Sequence, residues 1–332
     1  MSRPARIVVS RPLPPDVLAR LGEHGSVEVL DVGDDERPTA LRRRLAEAEA
    51  LVCCVTERVD ERLLEAAPAL RVVANVAVGY DNIDVEAARR RGVTVTNTPD
   101  VLSETTAEFA LALILATLRR VCEADRFVRS GRWQEWDPQL LVGHDLGGAT
   151  VGIVGLGRIG GCLARRLRHG FGCRILYWGR RRCDWAEREL DARRAEREEL
   201  LSESRVVSLH LPLDDETRHW IGERELAAMR PDAVLINTAR GGVVDEEALV
   251  QALRSERIWG AGLDVFANEP TVHDGLLEHP RVVLAPHIGS ASERTRRRMA
   301  ELAADNVIAV LTGQVPPTPV AGRQGDDRCA SV

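Results

Sequence analysis

The run Val151-Gly-Ile-Val-Gly155-Leu-Gly157-Arg158-Ile159-Gly160 constrains this chain more than any other segment. It reads as a short apolar strand, a glycine turn and the start of a helix, which commits its surroundings to a βαβ unit and a parallel sheet. In such a turn Gly155 permits the tight bend, Gly157 lets the backbone approach a pyrophosphate, and Gly160 lets the helix pack closely on the strand. Backbone N–H groups around Arg158 and Ile159 then meet a diphosphate at the helix N-terminus. The expected ligand is a dinucleotide.

The following strand, Arg174 to Trp178, bears on which dinucleotide. An acidic residue at its end would bond a ribose 2′-hydroxyl. Here the chain continues Gly179-Arg180-Arg181-Arg182, with no acid before Asp184. A carboxylate repels a 2′-phosphate, whereas arginine holds one through paired charge-assisted hydrogen bonds. NADP(H) is therefore expected over NAD(H), with Arg180 beside Gly179 as the leading contact and Arg181 or Arg182 assisting. NAD(H) use is the alternative.

Elsewhere, short β-type runs alternate with helical stretches along a 332-residue chain, enough for two α/β domains. Ile7 to Val9, Ser26 to Leu30, Leu51 to Val55 and Val72 to Val76 read as strands of a first lobe, with helical periodicity at Asp16 to Gly22 and Ala40 to Ala48. Strands of a second lobe read at Val151 to Val154, Arg174 to Trp178, Arg205 to Leu209, Ala233 to Asn237, Trp259 to Leu263 and Val282 to Ala285. Helices expected there include one long apolar helix within Ser103 to Ser130, a charged one over Asp184 to Leu201, and Glu246 to Arg254. A last helix, Ser292 to Leu311, precedes an irregular Pro-rich end. The fold class is α/β, with two Rossmann-like, doubly wound parallel-sheet domains.

Several function classes are excluded on composition. The chain contains no lysine, so no Schiff-base lysine and no Walker-type phosphate lysine exists. A net charge of −6 without a basic tail argues against nucleic acid, and no stretch has the length of a membrane span. Met1 to Ser10 lacks the layout of a signal peptide, which points to the cytoplasm. Seven cysteines without a CxxC spacing suggest reduced thiols and no metal site.

Reactive side chains follow the ends of three late strands. Arg240 stands in Ile236-Asn-Thr-Ala-Arg-Gly241, Asp264 and Glu269 in Leu263-Asp-Val-Phe-Ala-Asn-Glu-Pro270, and His287 in Ala285-Pro-His-Ile-Gly289-Ser290. In an open parallel sheet, ligands lie outside the carboxyl ends of strands, so these groups can converge. Arg240 can bind a carboxylate bidentately and polarise a keto oxygen. His287 can donate a proton, and Glu269 can orient the imidazole and favour its charged form. These are the parts that reduction of a 2-keto acid needs.

Taken together, Gly155-Leu-Gly-Arg-Ile-Gly160, Asn237-Thr-Ala-Arg-Gly241, Gly262-Leu-Asp-Val-Phe with Glu269-Pro270, and Pro286-His-Ile-Gly-Ser290 resemble the D-isomer-specific 2-hydroxyacid dehydrogenase family across nearly the whole chain. The resemblance implies D stereochemistry and a discontinuous, flavodoxin-like substrate domain over 1–100 plus 289–332. It implies a dinucleotide-binding domain over 101–288 that supplies most of a homodimer interface. Val78-Gly79-Tyr-Asp-Asn-Ile-Asp84 looks like the family's substrate loop, whose backbone N–H groups hold the substrate carboxylate; Cys54 and Val55 are expected to face the substrate. The cofactor contacts implied extend to Thr106, Pro212, Thr217, Thr238, Asp264, His287 and Gly289.

By the same analogy Trp136, in the loop that also carries Trp133, reaches the neighbouring subunit's substrate pocket. Asn97 to Glu108 and Leu176 to Arg180 look most like the glyoxylate/hydroxypyruvate reductase branch, with 2-ketogluconate as a further substrate candidate. A phosphite-oxidising branch is similar around Phe127 to Gly131 but expects a lysine where Val78 stands. Another alternative is a non-catalytic, corepressor-like nucleotide sensor.

Overall fold

The structure is a computed structural model and describes residues 3–320. Contacts divide the described chain into two compact units, 3–102 with 291–320, and 103–290. The expected divisions stood at 100/101 and 288/289, and residues 321–332 of the expected substrate domain lie outside the described residues.

The first unit holds a parallel sheet of β1 (Ala5–Val9), β2 (Gly25–Val29), β3 (Ala50–Cys53), β4 (Val72–Asn75) and β5 (Thr94–Thr96), in the order β2-β1-β3-β4-β5. Every residue of β3 and β4 is buried, as expected for parallel strands covered on both faces, whereas the edge strand β2 is half-exposed. The closing helix Glu293–Leu311 returns to this sheet and packs on β3 and β4. Its start is capped by the Ser292 hydroxyl, and its end is tied back by Arg71, which donates to the Val310 carbonyl at 2.7 Å.

The second unit holds β6 (Thr150–Val154), β7 (Arg174–Trp178), β8 (Arg193–Arg194), β9 (Val206–Leu209), β10 (Val234–Asn237), β11 (Gly260–Leu263) and β12 (Val282–Leu284). All pair in parallel, in the order β12-β11-β10-β9-β6-β7-β8. The order reverses between β6 and β9, and the crevice beyond their carboxyl ends is where such sheets bind ligands. Successive residues of one strand enter different cores. Val154, Leu176, Val207 and Leu235 pack on one face, and Ile153, Tyr177, Val206 and Ile236 on the other. This is the period-two signature of a sheet covered by helices on both sides.

Three departures from the sequence expectations have physical causes. The segment Ser103 to Ser130 is two helices, Ser103–Leu118 and Val121–Arg129, separated at Arg120, whose φ is 54°. His144 N–H takes the Leu118 carbonyl at 2.9 Å, and Gly143 lies so close that a Cβ there would stand 2.1 Å from that oxygen. The returning loop thus blocks the helix from continuing. Asp184 to Leu201 is likewise interrupted, because Asp191 is left-handed and the chain then adds β8 as an exposed arginine edge before the helix Arg197–Glu203. The three-residue β5 carries too short a pattern to stand out in sequence.

Among the described residues, no helix is long and apolar enough to cross a membrane. Cys53, Cys54, Cys122, Cys162 and Cys173 are free thiols. Cys329 lies outside the described residues.

Candidate active site

At the end of β6, Gly155 has φ 95°, and a Cβ there would meet the His210 carbonyl oxygen at 2.7 Å, so the bend needs glycine. A Cβ on Gly160 would stand 2.4 Å from the Gly155 oxygen, because the helix Arg158–Phe171 is packed directly against the strand end. At Gly157 the same construction meets nothing within 4 Å. This N-cap carries no side chain to occupy the first-turn N–H groups around Arg158 and Ile159, which suits them to a phosphate group. Further along the sheet, the buried Thr238 hydroxyl has no hydrogen-bond partner among the described residues. The open glycine cradle and this orphaned hydroxyl fit a dinucleotide.

Past β7, Arg180 is already engaged. Its guanidinium lies 2.8 Å from Asp214 and 3.7 Å from Glu216, both in the loop after β9. Asp214 is itself anchored, accepting from the Thr217 and Glu216 N–H groups, while the Thr217 hydroxyl reaches the Pro212 carbonyl at 2.6 Å. Burial pushes the Asp214 carboxyl up, but the Thr217 hydrogen bonds and the Arg180 charge outweigh it and hold the carboxyl below its ordinary range. Arg182 pairs with Glu187 at 2.7 Å, and the Gly179 carbonyl accepts from Arg194.

Arg240, Glu269 and His287 occupy the exits of β10, β11 and β12. Asn237 shapes the first exit: its side chain accepts from Ala239 N–H at 3.0 Å and donates to the Arg240 carbonyl at 2.9 Å. A Cβ on Gly241 would stand 1.8 Å from the Phe266 carbonyl carbon, so the Arg240 turn lies directly on the β11 exit. At that second exit, Glu269 accepts from Phe266 N–H at 3.0 Å through one oxygen and faces His287 Nδ1 at 2.8 Å through the other. Burial pushes the Glu269 carboxyl up, yet the His287 hydrogen bond and charge, Phe266 N–H and the Arg240 charge bring it below its ordinary range. Its ionised form therefore stabilises the fold above the usual glutamate range, and that contribution fades as pH falls through the lowered value.

His287 sits in the left-handed region, with φ 55°. Asp264 holds it there: its carbonyl accepts from His287 N–H at 2.8 Å, and its carboxylate accepts from Ile288 and Gly289 N–H at 2.8 and 2.7 Å. A Cβ on Gly289 would stand 3.0 Å from Asp264 and 3.4 Å from Thr106. Thr106, Asp264 and Gly289 therefore form one packed group that fixes the histidine turn. With Nδ1 directed at Glu269, the ring's Nε2 is left for proton transfer.

In the other unit, the loop after β4 shows a regular pattern. Ala77, Val78, Gly79 and Tyr80 all direct their carbonyls inward, to Thr98 N–H, Asn97 Nδ2, Asn75 Nδ2 and Ile83 N–H respectively. The N–H groups of Val78 and Gly79 meet no acceptor among the described residues. Cys54, at the end of β3, is tied by its N–H to the buried Glu57 carboxylate at 2.7 Å; burial pushes its thiol up to about 11. Trp136 is 78 % exposed and Trp133 55 %.

Sequence reasoning named the trio and the glycine turn but assigned no role to Asn75, Asn97, Asn237, Glu57 or Asp214. Asn75 left a signal, as an amide in the otherwise apolar strand run Val72 to Val76. Glu57 and Asp214 left none.

Residues 111–289 match the family model described as "D-isomer specific 2-hydroxyacid dehydrogenase, NAD binding domain". The chain is 51 % identical over 319 residues to a glyoxylate reductase of Thermococcus gammatolerans, covering 95 % of each chain. Its fold is similar to a solved protein of Thermus thermophilus with TM-score 0.87 and 46 % identity, covering 95 % of this chain and 100 % of that one. It is also similar, with TM-score 0.84 and 38 % identity, to the NADPH-dependent glyoxylate/hydroxypyruvate reductase of Sinorhizobium meliloti in complex with NADP and malonate, over 96 % of this chain and 97 % of that one.

Proposed function

This chain belongs to the D-isomer-specific 2-hydroxyacid dehydrogenase family and is an NAD(P)-dependent oxidoreductase, and on that premise we propose that it reduces a small 2-keto acid with NADPH to the D-2-hydroxy acid. Glyoxylate and hydroxypyruvate are the leading substrates, with 2-ketogluconate a further one. The observation that carries this reading is the Glu269–His287 pair at 2.8 Å, fixed by Asp264 and set among adjacent strand exits with Arg240.

When bound, the nicotinamide supplies the hydride. Gly155, Gly157, Gly160 and the N–H groups of Arg158 and Ile159 would hold the diphosphate, and Thr106, Pro212, Thr217, Thr238, Asp264 and Gly289 would line the remainder of that site. Arg240 binds the substrate carboxylate and polarises the keto oxygen. His287 Nε2 delivers the proton to that oxygen, and Glu269 orients the imidazole through Nδ1. We assign carboxylate binding also to the Val78 and Gly79 N–H groups, and contact with the substrate body to Cys54. In this reading 103–290 is the dinucleotide-binding domain and the other unit the substrate-binding domain. A homodimer would cover the exposed Val121, Val128, Trp133 and Trp136, with Trp136 reaching the neighbouring subunit's substrate pocket. Hydroxypyruvate should yield D-glycerate, and the L enantiomer as product would contradict the assignment.

The NADPH preference rests on Gly179-Arg180. A 2′-phosphate competes with Asp214 for the Arg180 guanidinium, and the arginine is the mobile partner because Asp214 is anchored by its own loop. Changing Gly179→Asp together with Arg180→Ser should reverse the ratio of kcat/KM for NADPH over NADH. An unchanged ratio would place the discrimination elsewhere.

A further inference from the structure

The loop that follows β4 carries its acceptors and donors on opposite sides, and side-chain amides produce that separation. A trans peptide sets its C=O and N–H antiparallel, so fixing one carbonyl fixes the direction of the N–H in the same plane. Thr98 N–H holds the Ala77 carbonyl at 2.8 Å and thereby orients Val78 N–H. Asn97 Nδ2 holds the Val78 carbonyl at 2.8 Å and thereby orients Gly79 N–H. Asn75, fully buried, donates to the Gly79 carbonyl at 2.8 Å and closes the other side of the glycine. Asn97 is in turn immobilised by its backbone, whose carbonyl accepts from the Thr318 hydroxyl at 2.6 Å.

We infer that Asn97 is a positioning residue for substrate: by holding the Val78 carbonyl inward it aims the Gly79 N–H at the carboxylate of the keto acid. Asn75 supports the same peptide pair from behind. The inference rests on the 2-keto acid reading of the site. It makes substrate affinity depend on a side chain that touches only backbone.

The test is Asn97→Ala, with Asn97→Asp as the isosteric variant that keeps the shape and loses the donor. Each is compared with the parent enzyme in kcat, KM for glyoxylate, inhibition by oxalate, NADPH dissociation constant by fluorescence, and Tm. The expected result is a KM and an oxalate inhibition constant raised roughly tenfold or more, the size of one lost hydrogen bond to a charged group. The NADPH dissociation constant and kcat should stay close to the parent values. A merely structural role would lower Tm, kcat and cofactor affinity together. The inference is overturned if an active parent and its folded variants share the same KM and oxalate inhibition within about twofold. A parent that neither reduces a 2-keto acid nor binds oxalate would instead overturn the reading of the site, and the inference with it.

Discussion

Replacement of His287 by asparagine should slow reduction by about 10²-fold or more while leaving NADPH affinity unchanged. In the proposed mechanism the imidazole is the proton donor, and asparagine retains bulk and a donor group toward Glu269 but has no proton to give to the forming alkoxide. Cofactor affinity should survive because the glycine turn, the Asp214–Thr217 loop and Thr238 lie on other strand exits. The left-handed backbone at position 287, with φ 55°, tolerates asparagine better than most residues, so the variant should fold. Steady-state rates with saturating keto acid, paired with NADPH titration by fluorescence quenching, separate the two quantities. Loss of NADPH binding would assign His287 a structural role.

Arg240→Gln should cost more, about 10³-fold in kcat/KM, because one guanidinium serves two tasks. In the proposed mechanism it binds the carboxylate and stabilises charge on the keto oxygen. Arg240→Lys should recover little of this, since an ammonium cannot reproduce a planar two-point contact. The rest of the exit turn should remain in place, since Asn237 bonds the Arg240 backbone rather than its guanidinium and Gly241 provides the packing. A lysine variant with near-parental kcat/KM would show that Arg240 acts only as a point charge.

The fold and the placement of Arg240, Glu269 and His287 at strand exits were legible for the same reason. A glycine turn, or an arginine or histidine just past a strand, is a local pattern, and a parallel sheet brings strand exits to one edge whatever the intervening helices do. What was not legible depends on partners distant in sequence. Asp214 meets Arg180 across 34 positions, and Asn97 meets Val78 across 19. The break at Arg120 comes from Gly143 and His144 docking on the Leu118 carbonyl, which no helical periodicity in Ser103 to Ser130 could report. Asp264 was expected as a cofactor contact; in the structure both its oxygens hold the Ile288 and Gly289 N–H groups, a role that becomes visible only once the backbone of the histidine turn is known.

The most direct test of the central claim is the loss of NADPH absorbance in a mixture of purified protein, NADPH and glyoxylate or hydroxypyruvate. The geometry of Arg240, Glu269 and His287 predicts decay that requires the keto acid and collapses in the His287→Asn variant. No decay with glyoxylate, hydroxypyruvate, 2-ketogluconate or pyruvate, using either NADPH or NADH, would contradict it.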